Sequence, residues 1–556
     1  MAPPPRRRPA SMEQEPIIGV RMSHVRSCME QSGSHPDTLG LGTAMSLVYM
    51  YDSIPEPPVS TAAPLASFAA ERAPADAIDR ISRLPDQILR NIVSRLPAKD
   101  AARTGALASR WRGLWRSVPL ALIDAHILPK GVSDERMAPG GDDPLSMVVI
   151  FQASRALDAH PGPFRCVHLS RCHMASSPNE LERWMKLLAA KGVQELVFIN
   201  RPWPLDLPLP DALFKCTSLT RLYLGVWRFP DTGVLRRTAR FPNLKELTLS
   251  LTAIKDRDLA MMLERSPVLE ILTIMASMLD GVRLRLVSRS LRCVQVGIAA
   301  FADIHVVDAP RLERLLLWMM ISPASKESDR CSRIKIGHAP NLRMLGHLQM
   351  DCLELEIGNT IIKASTVASP GTIVSSVQIL ALKVHFDDCS EMKMMPCFLK
   401  CFPNVETLHV YSDTTHKPTG KLNLKFWQEA GHIECVQSHL KKFVFQQFRG
   451  KTSELAFLKF IVETAQVLEK MVIMVVSECF SSMDDVNAKL KTLACAKWAS
   501  EDCEVIVFKS PSSNPGPPLW HFKIASDFSH MDPFDILTAH AQLYNSAFVF
   551  DHPATV

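Results

Sequence analysis

From about residue 160 onward the chain repeats one short pattern, apolar-x-x-apolar-x-apolar. Copies fall at Phe164/Val167/Leu169, Val193/Leu196/Phe198, Leu219/Leu222/Leu224, Leu244/Leu247/Leu249, Leu269/Leu272/Ile274, Leu291/Val294/Val296 and Leu312/Leu315/Leu317. Later ones are Val377/Leu380/Leu382, Val405/Leu408/Val410, Leu440/Phe443/Phe445 and Leu468/Met471/Ile473, with a partial copy at Leu342/Leu345. From Leu219 to Leu312 the step is 25, 25, 22 and 21 residues, and later it loosens to about 28 to 35. No copy of that length covers its own apolar face, so neighbours must stack and share one core.

The last two apolar positions of each copy alternate as in a strand, placing both side chains on one face of the pleat. Room remains between copies for a short helix, as at Ile254–Leu263. Pro242, Pro267, Pro310, Pro340 and Pro403 each stand two residues ahead of a copy. There a proline ends the preceding element and fixes the approach to the strand. With 47% apolar and 22% charged residues, the 556-residue chain is neither collagen-like nor disordered throughout.

Residues 1–75 hold 11 of the 40 prolines and no sustained period, and a disordered N-terminal tail is expected there. The 14 charge-free residues Thr38–Tyr51 are too few to span a bilayer, so no membrane partner is expected. The 14 cysteines are scattered without a Cys-x-x-Cys pair, which predicts reduced thiols and a nuclear or cytoplasmic setting.

Between these regions lies a compact helical segment. Leu84-Pro85-Asp86 opens it, and Ile88, Leu89, Ile92, Val93 and Leu96 form one helical stripe that Pro97 ends. A second helix is predicted over Lys99–Leu107, and a third carries Trp111, Leu114 and Trp115. Three such short helices cannot bury their faces on one another alone, so a partner or the rest of the chain must cover some of that surface. Asp79 to Arg116 also holds nine basic residues against three Asp, a surplus equal to the whole net charge of +6, and so seeks an acidic partner.

The run from Asp79 to Pro119 closely resembles a plant F-box, with its leading LPD, its LPxKDAxRT turn and its RWxxLW ending in order. Gly105, Ala108 and Ser109 depart from the commoner residues. The resemblance implies docking onto an acidic Skp-type adaptor, and through it onto a cullin–RING ubiquitin ligase. By position Leu84, Pro85, Asp86, Ile88, Leu89, Ile92, Leu96, Pro97, Trp111 and Trp115 would supply the contacts or the packing behind them. Ile92, Leu96, Leu107 and Leu114 serve equally well as the small domain's own core. A nucleic-acid partner fits less well, because the basic residues are not gathered on one recognition helix.

The repeats resemble the irregular leucine-rich-repeat solenoids found behind plant F-boxes. The Asn or Cys expected beyond the last strand Leu is absent, with Trp227, Thr252, Ser277, Ala299 and Met320 in its place. From Gly431 the tail resembles the FBD module, a strand, a helix and the VLEKM strand, continued by a helix near Asp485–Ala499 and a strand Val505–Phe508. The expected α/β fold is a three-helix F-box (76–122), a linker (123–159) and a right-handed solenoid (160–430), parallel sheet inside and helices outside. An FBD-like βαβ cap (431–510) and a tail (511–556) complete it, after the disordered 1–75.

No catalytic constellation stands out. Gly450-Lys451-Thr452 sits between a strand and a helix, but Phe445 occupies the place of the first glycine of a phosphate loop. HExxH and GxSxG are absent, and Asp387-Asp388 reads as a solvated turn. No metal, cofactor or catalytic residue is therefore expected. The resemblance implies a non-catalytic receptor that holds an unknown target protein for ubiquitination; a scaffold that binds the adaptor without directing degradation is the alternative. Target contacts are expected from outward strand positions, Arg221, Tyr223, Glu246, Thr248, Thr273, Gln295, Arg314, Trp318, His409 and Tyr411. Tyr223, Arg314 and Trp318 are favoured, since Tyr, Trp and Arg dominate interface hot spots.

Overall fold

The computed structural model of the chain describes residues 46–47, 49–51, 53–59, 80–128, 144–200, 207–234, 239–276, 282–298, 301–318, 332–350, 353–363, 366, 369–414, 419–420, 424–509, 522–535 and 548–550. The N-terminal helices are α1 (Asp86–Ser94), α2 (Ala98–Thr104) and α3 (Ser109–Ser117), followed by β1 (Leu120–Ile123), α4 (Asp124–Ile127) and α5 (Pro144–Ala159). The first repeats supply β2 (Phe164–Cys172), α6 (Pro178–Ala190), β3 (Glu195–Asn200), β4 (Arg221–Arg228), β5 (Glu246–Ala253), α7 (Asp256–Arg265) and β6 (Ile271–Met275).

In the middle of the chain strands alternate between two layers. β8 (Cys293–Gly297), β10 (Arg314–Trp318) and β12 (Met344–Gln349) continue the main sheet, while β7 (Val282–Val287), β9 (Phe301–Asp308), β11 (Ser332–His338), β13 (Leu353–Ile357) and β14 (Thr360–Ile361) form a second one. β15 (Ile379–His385), α8 (Cys389–Lys400), β16 (Thr407–Asp413) and α9 (Leu424–Glu429) follow. The C-terminal module adds β17 (Lys442–Phe448), α10 (Thr452–Thr464), β18 (Lys470–Val475), α11 (Met483–Ala494) and β19 (Glu504–Lys509), and then come α12 (Phe522–Ser526) and β20 (Phe548–Phe550).

The main sheet has 15 strands in the order β1-β2-β3-β4-β5-β6-β8-β10-β12-β15-β16-β17-β18-β19-β20. Its neighbours pair in parallel except β20, which closes the edge antiparallel to β19. The repeat positions read from sequence are the inward ones: Val167, Leu196, Leu222, Leu247, Leu272, Val294, Leu315, Leu380, Leu408, Phe443 and Met471 are all buried in one continuous core. The partial copy has a cause. The β12–β15 register shifts between Leu345 and Leu348, which brings Leu348 opposite Leu382. Gly346 makes that bulge, at φ +144°, where a Cβ would collide with Ala381.

Helices line the outer layer at both ends, as expected, but β7, β9, β11 and β13 replace them in the middle. Where β7 and β9 lie the step is only 21 to 22 residues, and the connectors alternate with period two, as in Val-Arg-Leu-Arg-Leu-Val. Leu284, Leu286, Ile304, Val306, Ile334 and Ile336 enter the core. Charged residues face out and pair across strands, Arg333 with Glu354 at 3.0 Å and Lys335 with Glu356 at 2.6 Å.

The buried ladder is partly present, which corrects the sequence reading. Cys172 stands at that position of the first copy and pairs in register with Asn200, both buried. The Asn200 side-chain oxygen accepts the Met174 N–H at 2.9 Å. Trp227 donates its indole N–H to the Phe198 carbonyl at 2.8 Å, and the Thr252 hydroxyl reaches the Leu224 carbonyl at 3.4 Å. Ser277, Ala299 and Met320 lie outside the described residues. Just before the ladder, Val226, Leu251, Ala276 and Ile298 all adopt positive φ, between 46° and 63°. That conformation costs about 1–2 kcal/mol for an L-residue. Strand-to-strand bonds offset it, from the Ala276 N–H to the Gly297 carbonyl and from the Ile298 N–H to the Trp318 carbonyl, each at 2.8 Å.

Three segments read from sequence as a disordered tail, a linker and a C-terminal tail contain ordered, packed residues where described. Residues 144–159 of the expected linker form α5, whose Val149, Ile150, Ala153 and Leu157 are buried. Residues 46–59 of the N-terminal tail and 522–535 of the C-terminal tail pack on the main sheet, because their Leu47, Tyr49, Met50, Phe522 and Phe534 find an apolar surface there. The remainder of the N-terminal segment up to residue 79 lies outside the described residues.

One buried ion pair ties β1–α4 to the first repeat. Asp124 accepts the backbone N–H groups of Ser170 (2.5 Å) and Arg171 (2.7 Å) and pairs with the Arg171 guanidinium at 2.8 Å. Removing one partner of such a pair leaves an uncompensated buried charge, at about 3–5 kcal/mol. Asp124→Ala is therefore expected to lower unfolding stability by about that amount in chemical denaturation, with Arg171→Met showing a loss of the same order.

Candidate functional site

The N-terminal helices have two apolar sides. Leu89, Val93, Ala101, Trp111 and Leu114 point into the common core beside Val118, Leu120 and Leu122. Proline opens both α1 and α2, at Pro85 and Pro97, and fixes their entry. Arg110 of α3 then locks the opening turn: its guanidinium bonds the Asp86 carboxylate at 2.6 and 2.8 Å and the Leu84 carbonyl at 2.9 Å. The Trp111 indole N–H donates to the Ser82 hydroxyl at 2.8 Å.

On the opposite side Ile88 (47%), Ile92 (36%) and Leu107 (69%) stay exposed among the described residues, with Ile81 and Pro85 nearby in the chain. Leu84, Leu96, Pro97 and Trp115 are half-buried between the two sides, and Asp86 is exposed. The structure thus divides the sequence-predicted contact residues. Pro85, Ile88 and Ile92 present themselves outward, whereas Leu89 and Trp111 are packing. Ile92 and Leu107 do not join the core, but Leu114 does. Leu107, placed by the sequence inside the second helix as a core candidate, lies instead beyond the end of α2 and is exposed. Arg83, Arg90, Arg95, Lys99, Arg103, Arg112 and Arg116 are all exposed around this surface.

The outward face of the repeat sheet is largely covered by the chain itself. Tyr223 donates its hydroxyl proton to the Met50 carbonyl at 2.8 Å and lies 2.7 Å from the Ser53 hydroxyl. Trp318 meets Tyr49 edge-on, ring centroids 4.3 Å apart, and Phe522 at 6.1 Å. Gln295 donates to the Phe522 carbonyl at 3.2 Å. The Arg314 guanidinium donates to three carbonyls of the C-terminal segment, Ala525 (2.8 Å), Asp527 (3.1 Å) and His530 (2.6 Å). The His409 Nε2 lies 2.9 Å from the Asp532 carboxylate. Burial pushes the Asp532 carboxyl up, but His409 and Lys442 more than offset this and hold it below its ordinary value.

Five of the ten expected target residues therefore already have partners from the chain's own ends. Thr273 is buried as well, and Tyr411 is half-buried. Arg221 is held between Glu195 (2.9 Å) and Glu246 (2.6 Å). Arg221, Glu246, Thr248 and Thr273 floor a cleft of about 410 Å³ between the two covering segments, walled by Glu56 and Asp527. A sequence signal for the cover exists. Val197, Ile199, Met275, Leu316 and Ala381 occupy outward positions, and an uncovered face would not carry such a row.

The Gly450-Lys451-Thr452 loop already holds an internal anion. The buried Glu454 carboxylate accepts the N–H groups of Arg449 (3.0 Å) and Lys451 (2.9 Å) and the Ser412 hydroxyl (2.6 Å), while Lys451 pairs with Asp387. Asp388 caps α8 by accepting the Ser390 N–H at 2.7 Å. Among the described residues, no group of three or more His, Cys, Asp and Glu could hold a metal, and no helix is long and apolar enough to cross a membrane. The thiols of Cys166, Cys216, Cys293, Cys401, Cys435 and Cys503 are pushed up to about 12 by burial, so they are not poised as thiolates.

Comparison with known families matches three segments of the chain. The F-box domain matches residues 81–122, the family described as "FBD-associated F-box protein At5g56370, LRR repeats" matches 181–410, and FBD matches 428–473. Among relatives from Arabidopsis thaliana, the F-box/FBD/LRR-repeat protein At1g13570 is 24% identical over 419 residues, covering 74% of this chain and 93% of its own length. The FBD-associated F-box protein At4g10400 is 26% identical, covering 77% and 99%, and F-box/LRR-repeat protein 13 is 25% identical, covering 71% and 89%.

Arg314 makes the densest set of contacts to the C-terminal cover. A hydrogen bond from a charged group is worth about 1.5–3 kcal/mol. In the full chain, Arg314→Met is expected to speed limited proteolysis within 522–535 at least tenfold while the main melting transition of the repeats is retained.

Proposed function

From the membership of this chain in the plant F-box proteins that carry leucine-rich repeats and an FBD segment, we propose that it is the target-binding subunit of a Skp–cullin–F-box ubiquitin ligase. Ile88, Ile92 and Leu107, with Pro85 and the half-buried Leu84, dock the adaptor; the repeat sheet holds the target. The observation that carries this reading is the two-sided helical segment. One side is fused into the solenoid core, and Ile88, Ile92 and Leu107 are left in water on a segment whose basic residues are exposed. Such a surface suits an acidic partner with an apolar groove.

The chain's own contribution is positional. Because α1 to α3 share one core with the first repeats, the target is held in a fixed relation to whatever binds the adaptor, which raises the effective concentration of its lysines at the ligase. The chemistry belongs to the partners. A nuclear or cytoplasmic setting fits the eleven free cysteines among the described residues. The covered sheet face favours one second reading, a scaffold that binds adaptor without presenting a target. Ubiquitination of co-purified proteins by the assembled ligase separates the two.

The test is capture of a purified Skp-type adaptor by the full chain. Ile88→Asp/Leu107→Asp is expected to weaken capture at least 100-fold, since both changes bury a charge in the interface but alter only exposed positions of the free chain. Leu89→Ala should instead cost about 2–5 kcal/mol of stability. Undiminished capture by the double variant, with its melting temperature intact, overturns the reading.

A further inference from the structure

Residues 522–535 cross the outward face of the main sheet as a bound peptide would, passing β8, β10, β12, β16 and β17 in turn. Their upstream part is held through the backbone, where Gln295 and Arg314 bond carbonyls, and through the Phe528 ring, which lies beneath the guanidinium groups of Arg292 (3.7 Å) and Arg314 (4.9 Å). The carbonyl bonds fix path and register but read no side chain. The downstream part is held through side chains. Phe534 is buried against the His347 ring (4.9 Å) and the His409 ring (5.6 Å). Asp532 meets His409 at 2.9 Å and Lys442 at 3.7 Å, and Asp535 meets Lys442 at 2.7 Å. Asp532 also accepts the Phe534 N–H at 3.0 Å, a turn that aims ring and carboxylates at the sheet together.

We infer that the face built by β12, β16 and β17 recognises a linear segment carrying Asp-x-Phe-Asp, and that residues 532–535 of this chain occupy it as an internal competitor. The inference rests on the receptor reading and names the chemistry of its target: an acidic, phenylalanine-bearing turn segment. His409 and Asp532 meet in a nearly dry polar contact, which is poorly suited to adding net stability but selective for its partner. A plain cover for apolar strands would need neither His409 nor Lys442. Tethering gives the internal segment an effective concentration on the order of millimolar, so an outside segment binds only when it outcompetes the tether or when the tether is loosened.

The experiment uses the full chain and a fluorescent peptide copying residues 522–535. Asp532→Ala/Phe534→Ala/Asp535→Ala is expected to bind the peptide at least tenfold more tightly than the unaltered chain does. The same peptide carrying those three substitutions is expected to bind neither. A folded triple variant that gains no affinity overturns the inference. Should that variant melt early, the unaltered chain decides: millimolar peptide is expected to speed hydrogen exchange of its own 528–535 amides, and unchanged exchange overturns the inference. Adaptor capture is measured on the same preparations. A chain that captures adaptor and ignores the peptide sinks this inference alone; one that binds the peptide and fails to capture adaptor sinks the receptor reading alone.

Discussion

Everything in this chain hangs on one stacked apolar core. Each repeat contributes two inward side chains from its strand, and none could bury them without the repeats on either side. The core does not stop where the repeats begin. Leu89, Val93, Trp111 and Leu114 enter it from the helical segment, β1 extends its sheet, and Phe457, Met471 and Val505 carry it through the C-terminal module. Segments that family comparison matches separately are therefore physically continuous. Whatever binds α1 and whatever binds the sheet act on one common frame.

The opposite face of the sheet obeys a different constraint. Parallel sheets are stable when both faces are covered, and the outward row here is greasy between β3 and β15. The chain supplies the cover from both ends: Leu47, Tyr49 and Met50 from one, Phe522, Ala525 and Phe534 from the other. Covering is not uniform. The N-terminal piece lies over β4, the C-terminal piece crosses toward β17, and the cleft over Arg221 and Glu246 lies between them.

The inward strand positions were legible because their signal is local and recurs at every copy. The outer layer was less so. The alternation in Val282–Val287 is as local as the helical pattern in Asp256–Arg265, yet a repeat expected to carry a helix hides it, and only the shortened step betrays the change. The helical segment was legible as a motif but not as a surface. Ile88, Leu89, Ile92 and Val93 form one wide stripe, and periodicity alone does not tell which half faces the core. The self-cover was hardest. Tyr223 and Met50 are 173 positions apart, and no window of sequence brings them together. What did exist was a conflict. Leu316 and Trp318 are apolar where a solvated face would be polar, and such a conflict marks a surface that something must occupy.

That occupancy changes what a binding face on this solenoid has to achieve. When a site is already filled from within, the apparent affinity for an outside ligand falls with the fraction of molecules in which the site is open. Generic apolar contact then wins nothing, because the internal segment supplies it at least as well. What separates one competitor from another is the polar part of the site, where buried His409 and half-buried Lys442 must find carboxylates or lose the ones they have. The cover therefore raises the threshold for any ligand of that face, and His409 and Lys442 decide which ligands can reach it.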